Sequence, residues 1–245
     1  MKKSDIFAGI DAEAIIKKSI ESHLGPAERA KKAKKTETQI DESYVHEPKQ
    51  YKQVSEFVSQ RTKNSHVELY KGYVDAMNKV STDLDTADRG AVNSMHSQFR
   101  SLKLDEAYNL NATWLHELYF ANCFDPHSEI VMDSMSFIEI QRAWGTFDDW
   151  QKDFMACALS AGSGWAIFGF NIFLKNYVNT VVSNNSQDVM LGLYPIVALD
   201  VHEHAYAADY KTDKKSYVVA MMRQIDWEVV EERVKKAKSI AQAVK

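Results

Sequence analysis

Asp200 and His204 stand four residues apart in the stretch Asp200-Val201-His202-Glu203-His204. Tyr194 to Val201, just ahead, reads as a mostly buried strand, and the residues that follow read as helix. The pair therefore sits at a strand-to-helix junction. With a helical turn beginning near Asp200, positions i and i+4 share a face. A carboxylate beside an imidazole then suits a redox-active first-row metal. His202 and Glu203 fall off that face. A capping aspartate followed by a surface histidine accounts for the pentapeptide equally well.

Two further histidines lie in apolar helical surroundings: His116 in Trp114-Leu115-His116-Glu117-Leu118-Tyr119-Phe120, and His66 ahead of Val67-Glu68-Leu69-Tyr70. A single histidine on such a face is ordinarily a core residue with a satisfied ring. Two of them on neighbouring helices, beside an Asp/His pair, make three imidazoles and one carboxylate. That set leaves a further position open for water or a small substrate, the feature that separates catalytic from structural metal sites. His23, His46, His96 and His127 have no comparable context and receive no role.

These side chains need a scaffold. Val54, Phe57, Val58, Val67, Tyr70, Tyr73, Val74 and Met77 recur at helical spacing and predict a helix over 51–82, with a bend or restart at Thr62-Lys63-Asn64-Ser65. A polar link leads to a second helix over 92–124, ended by Asp125-Pro126. The two form an antiparallel hairpin. Residues 134–161 carry two shorter helical patterns. After Gly162-Ser163-Gly164 the texture alternates, and Trp165 to Phe173, Tyr177 to Val182 and Tyr194 to Val201 read as three strands. Helix returns from residue 202, with Asp226 as N-cap of the last one. A helical half, a small sheet and then helices define an α+β chain.

Composition narrows the partners. The chain has 245 residues, 45% of them hydrophobic, and a formal net charge of -4. That length buries a full core, and the charge balance gives no basic surface for nucleic acid or membrane. Cys123 and Cys157 have no zinc-site spacing and read as buried free thiols of a reducing compartment. No apolar run at the start reaches signal-peptide or membrane-span length, which gives a cytoplasmic reading. Residues 1–50 differ from the rest: an apolar helical spacing from Ile10 to Leu24, a Gly25-Pro26 break, then a basic run from Lys31 to Lys35. They read as an appended charged arm, partly helical or disordered, either solvated or docking a protein partner. The hairpin follows over 51–126 and a metal-binding α+β domain over 127–245.

Three stretches resemble the iron/manganese superoxide dismutase family. Asp200-Val201-His202-Glu203-His204-Ala205-Tyr206 is similar to the family's D-V-W-E-H-A-Y signature. Gly162-Ser163-Gly164-Trp165-Ala166 matches G-S-G-W-A, and Asp226-Trp227-Glu228-Val229-Val230-Glu231-Glu232-Arg233 resembles N-W-D-V-V-N-E-R. His116 matches the histidine of the N-H-x-x-F-W helix. The resemblance runs over residues 50–235. It implies a helical hairpin followed by a domain with a three-stranded antiparallel sheet and surrounding helices. It implies His66, His116, Asp200 and His204 as ligands of one manganese or iron ion per chain. The implied activity is disproportionation of superoxide to dioxygen and hydrogen peroxide, in a homodimer or tetramer. Trp165 would wall the pocket, and Glu203 would reach across a dimer interface to His204 of the other subunit. A water or hydroxide on the metal would be held by Tyr73 and by a glutamine. Gln187, in Ser186-Gln187-Asp188, resembles the glutamine of the manganese enzymes' N-Q-D, whereas the iron enzymes' alternative position is Ala112. Manganese is the preferred ion on that ground.

The departures concern the immediate surroundings of the ligands. His202 replaces the signature tryptophan, so it either packs or alters the chemistry of the metal. His66 and Tyr73 are seven apart rather than eight, in an H-x-x-L-Y-x-G-Y-V pattern; seven residues are two helical turns, so both can still face the metal. Tyr70 and Ala207 stand where many members have histidine and tyrosine, and a large Tyr70 filling space left by Ala207 is the expectation. The alternative function is a dismutase-fold protein with lost or altered activity, serving as a binding or structural component.

Overall fold

The computed structural model describes residues 45–243. The expected arm, with its helical stretch over 10–24, lies outside the described residues except at 45–50.

The first helix, α1, spans Gln60–Thr86 and starts later than its apolar spacing predicts. Residues 45–58 instead run without regular structure. Their backbone is claimed by the end of the second helix: Val54 N–H donates to Phe124 O at 2.7 Å and Lys52 N–H to Asp125 Oδ1 at 2.5 Å. Gln53 takes a left-handed φ of 56°, which turns the segment. Ser59 then caps α1 by accepting from Thr62 N–H. No bend occurs at Thr62–Ser65; Thr62 and Lys63 are buried within one continuous helix. Helix α2 spans Gln98–Cys123 and is capped by Ser97. Ring contacts between the two run in opposite chain order, His66 with Phe120, Tyr70 with His116 and Tyr73 with Tyr108, which defines the antiparallel hairpin. Val80, Leu84, Ala87 and Leu102 form a separate small core at its far end.

Helices α3 (Met135–Trp144) and α4 (Phe147–Ser160) follow, divided by Gly145 at φ 87°, a backbone that glycine adopts without a Cβ clash. The sheet contains β1 (Gly164–Asn171), β2 (Asn176–Ser183) and β3 (Leu193–Asp200) in the order β2-β1-β3, all antiparallel. Central β1 is buried at every residue. A Cβ on Gly164 would lie 2.2 Å from Val182 O, so only glycine permits this approach of β1 to β2 beside Trp165. The chain ends in α5 (Glu203–Tyr210), α6 (Lys214–Met222) and α7 (Trp227–Ala243). The architecture is α+β, as the order of elements predicts.

A single large apolar cluster joins the hairpin to the sheet. It includes Tyr70, Leu115 and Phe120 from the hairpin, Trp165, Phe168 and Leu199 from the sheet, and Trp150, Met221 and Val230 from the later helices. Cys123 lies in it, buried and unpaired, whereas Cys157 is only half-buried. Among the described residues no helix is long and apolar enough to cross a membrane.

Candidate metal centre

Four side chains from four elements converge where the hairpin meets the sheet: His66 from α1, His116 from α2, Asp200 from the end of β3 and His204 from α5. One donor atom from each lies within 4.8 Å of all the others. Single-ion bonds of about 2.1 Å can bridge that spread after small side-chain shifts. His66, His116 and Asp200 are buried, and the His204 side chain is 32% exposed. Asp200 Oδ2 is the focus: Nε2 of His66 stands 3.0 Å away, that of His204 3.1 Å and that of His116 3.6 Å.

Asp200 and His204 do not share a helical turn, contrary to the sequence expectation. Asp200 is the last residue of β3, and α5 begins only at Glu203. The junction itself folds the chain so that the two side chains meet. Behind it, Tyr217 donates to Asp200 O at 2.7 Å and so leaves Tyr119, 3.0 Å away, to donate to Tyr217.

The donor set is prepared for a cation. His116 Nδ1 lies 2.6 Å from Ala112 O, an acceptor only, so Nδ1 carries the proton and Nε2 presents its lone pair to the centre. That Nε2 is buried without a hydrogen-bond partner. An orphaned buried acceptor beside a carboxylate fits a cation between them. Burial, reinforced by His66, depresses His116 to about 3, and burial lowers His66 against the opposing hydrogen bond of Asp200. For His204 burial works against the imidazolium, but the hydrogen bond and charge of Asp200 outweigh it and raise the pKa. Burial also opposes ionisation of Asp200, yet hydrogen bonds from His202, His204 and His66 hold its carboxyl well below the usual range. The centre is thus one carboxylate facing two imidazoles that burial keeps neutral, His66 and His116, and a third, His204, that the carboxylate draws toward its protonated form; this donor set suits a first-row ion.

The remaining predicted residues fall around it unevenly. Trp165 is fully buried and meets His116 edge-on, with ring centroids 4.9 Å apart. Tyr73 is half-buried, with its ring 5.3 Å from His116. Glu203 is exposed and accepts from Ser163 Oγ at 3.0 Å. His202 does not point away, as a helical turn would require. It stands at the N-cap position of α5 without a side-chain capping bond, and its Nδ1 lies 2.8 Å from Asp200 Oδ1. Tyr70 is fully buried, but Ala207 is exposed; the Tyr70 hydroxyl is occupied by Glu117, to which it donates at 3.0 Å.

Gln187 is the clearest departure. Its backbone pairs with Ser183 in both directions, and the side chain is exposed. The amide that enters the site belongs to Asn185, fully buried, whose Oδ1 accepts from Trp165 Nε1 at 2.9 Å. Burial pushes the Tyr73 hydroxyl up to about 12. The sequence signal was the Asn184-Asn185 pair just ahead of the motif; Asn184 takes a φ of 49°, and that turn swings the following side chain inward. His46, given no role from sequence, is also engaged. Its Nε2 lies 2.5 Å from Glu117 Oε1, and Lys49 Nζ donates to Glu117 Oε2. Burial works against ionisation of Glu117, but Lys49, His46 and Tyr70 together lower its pKa.

Comparison with known proteins agrees with this geometry. Residues 135–233 match the family model of the C-terminal domain of iron/manganese superoxide dismutases. The chain is 34% identical over 179 residues to the superoxide dismutase [Fe] of Aquifex aeolicus, an alignment covering 72% of this chain and 83% of the relative. It is 32% identical over 167 residues to the superoxide dismutase [Fe] of Cupriavidus metallidurans, covering 67% and 82%. With superoxide dismutase [Mn] 1 of Halobacterium salinarum it shares 28% over 172 residues, covering 70% and 82%. The chain belongs to the iron/manganese superoxide dismutase family.

Proposed function

We propose that this protein is a superoxide dismutase, disproportionating superoxide to dioxygen and hydrogen peroxide with one manganese or iron ion held by His66, His116, Asp200 and His204. The observation that carries the reading is the buried convergence of three imidazole Nε2 atoms on Asp200 Oδ2, one of them orphaned. The bound ion would supply one-electron chemistry by alternating between its divalent and trivalent states.

The chain's own residues select and orient what reaches that ion. Trp165 and Phe120 flank the histidines and keep bulk water from their rings. Asn185, held by Trp165 and adjacent to Tyr73, takes the place expected of Gln187 in orienting a solvent molecule. The raised Tyr73 pKa keeps its hydroxyl a proton donor at neutral pH. Asn185 belongs to the connection between β2 and β3, and Ala112 offers no amide from α2, which supports manganese on the argument first made for Gln187. Relatives named for either metal occur, so direct metal analysis decides.

The proposal includes a cytoplasmic homodimer or tetramer. The exposed Glu203 and the partly exposed His204 supply a carboxylate and a ring edge for a second copy to engage, in the manner the family resemblance implies. It also retains the division into an arm over 1–50, with a possible protein partner, a hairpin over 51–126 and a metal-binding part over 127–245. Metal content and superoxide dismutation measured on one purified sample test the reading, with His204→Ala as control. About one iron or manganese per chain, with activity lost in the variant, is the expected result. Bound metal without dismutation overturns the activity. A folded protein that takes up neither metal leaves the fold as a binding scaffold.

A further inference from the structure

The geometry points to His202 as a positioning residue that divides the Asp200 carboxylate between two jobs, and so sets the reduction potential of the bound ion. The inference rests on the metal reading above. Asp200 has two oxygens with different surroundings. Oδ2 faces the three histidines. Oδ1 receives the backbone N–H of His202 at 2.9 Å and its Nδ1 at 2.8 Å. Nδ1 must carry the proton, because an ionised carboxylate only accepts. One residue thus places two donors on the oxygen that does not face the ligand set.

His202 is held in that pose. It is 8% exposed, its ring stacks on His204 with centroids 5.0 Å apart, and Trp165 meets it edge-on at 5.7 Å. A tryptophan at this position, as in the family signature, has carbon at both δ positions and cannot make the second bond. The histidine is therefore a chemical change on the carboxylate, in addition to any change in packing.

Two consequences follow. The carboxylate cannot rotate without breaking both bonds, so Oδ2 stays aimed at the ligand cluster. The donors also draw charge toward Oδ1 and make Oδ2 a weaker anionic ligand. A weaker anion favours the divalent over the trivalent ion, and the potential rises. Outer partners of metal ligands commonly change affinity by about tenfold or more.

The test compares the parent with H202F, which keeps a ring but removes the donor, and H202N, which places an N–H at the same δ position. Each is loaded with the metal found in the parent and titrated by mediated spectroelectrochemistry, with circular dichroism to verify folding. H202F is expected to shift the divalent-to-trivalent affinity ratio by about tenfold toward the trivalent ion, about 59 mV lower for a one-electron couple. H202N is expected to recover most of that shift. An unchanged potential in H202F overturns the inference, and so does an equal fall in both variants, which would mark a packing effect. A 15N spectrum of the metal-free parent with the His202 proton on Nε2 also overturns it. A parent that binds neither iron nor manganese removes the metal reading itself, an outcome distinct from these.

Discussion

Tyr217 offers no ligand, yet it holds one in place. Its hydroxyl bonds the Asp200 carbonyl and takes a bond from Tyr119, all within the core. Tyr217→Phe removes one buried hydrogen bond and leaves Tyr119 without its acceptor. A loss of about 1–3 kcal/mol in urea-unfolding stability is expected, together with weaker metal retention. A variant as stable and as metal-retentive as the parent would assign Tyr217 to packing alone. Sequence made the four converging residues legible because motif and apolar context mark each of them. It marked His202 as a departure beside the ligands but could not reveal its bond to Asp200, nor Tyr217 or Asn185 as partners, because those contacts depend on tertiary approach. Gln187 misled for a local reason: a backbone bridge to Ser183 sends its side chain outward, and the inward amide lies two positions earlier.

At the scale of elements, α1 and α5 carry His66 and His204 and are also tied together by hydrogen bonds away from those rings. Asp209 on α5 accepts from Ser59 N–H at 2.7 Å and from Thr62 Oγ1 at 2.8 Å, at the start of α1. Asp209→Ala is expected to cost about 1 kcal/mol, a cap-sized loss discounted for an exposed carboxylate. Burial alone would raise the Asp209 pKa, but these hydrogen bonds outweigh it and lower it. A depressed carboxylate adds stability that is present above its unfolded pKa of about 3.9 and lost as pH falls through the folded value. The gap between parent and Asp209→Ala in thermal unfolding should therefore be full at pH 6 and shrink in acid below about pH 4. A gap that is constant with pH would mean the bonds do not depend on charge. The elements themselves were largely legible, since strand alternation and helical spacing agree with where they fold. The start of α1 was not: Val54 and Val58 keep helical spacing, but the end of α2 captures the backbone around them.

For the whole molecule, one ion would join α1, α2, the end of β3 and α5, elements separated by up to 138 positions between His66 and His204. A metal that binds only the folded chain adds stability by mass action, about 4 kcal/mol at a thousandfold excess over Kd. Removing it by chelation should lower Tm well beyond the effect of any single substitution above, and adding it back should restore Tm. Equal unfolding temperatures with and without metal would mean that the described core is self-sufficient.

Glu117 bears on where this chain can be cut. Its side chain is 8% exposed, and besides Tyr70 its partners are His46 and Lys49, which lie on the stretch leading into α1. A chain trimmed to begin at residue 45 keeps both of these partners. One trimmed to begin at residue 51 leaves an acid stranded in the interior, one position from His116 on α2, with a single phenol to answer it. The longer trimming should cost about 2 kcal/mol more than the shorter, or raise the Glu117 pKa as burial goes unopposed by Lys49 and His46. A Glu117→Gln change should recover much of that loss in the shorter chain alone. Residues 46 and 49 are thus tied to α2 by a buried charge that needs company.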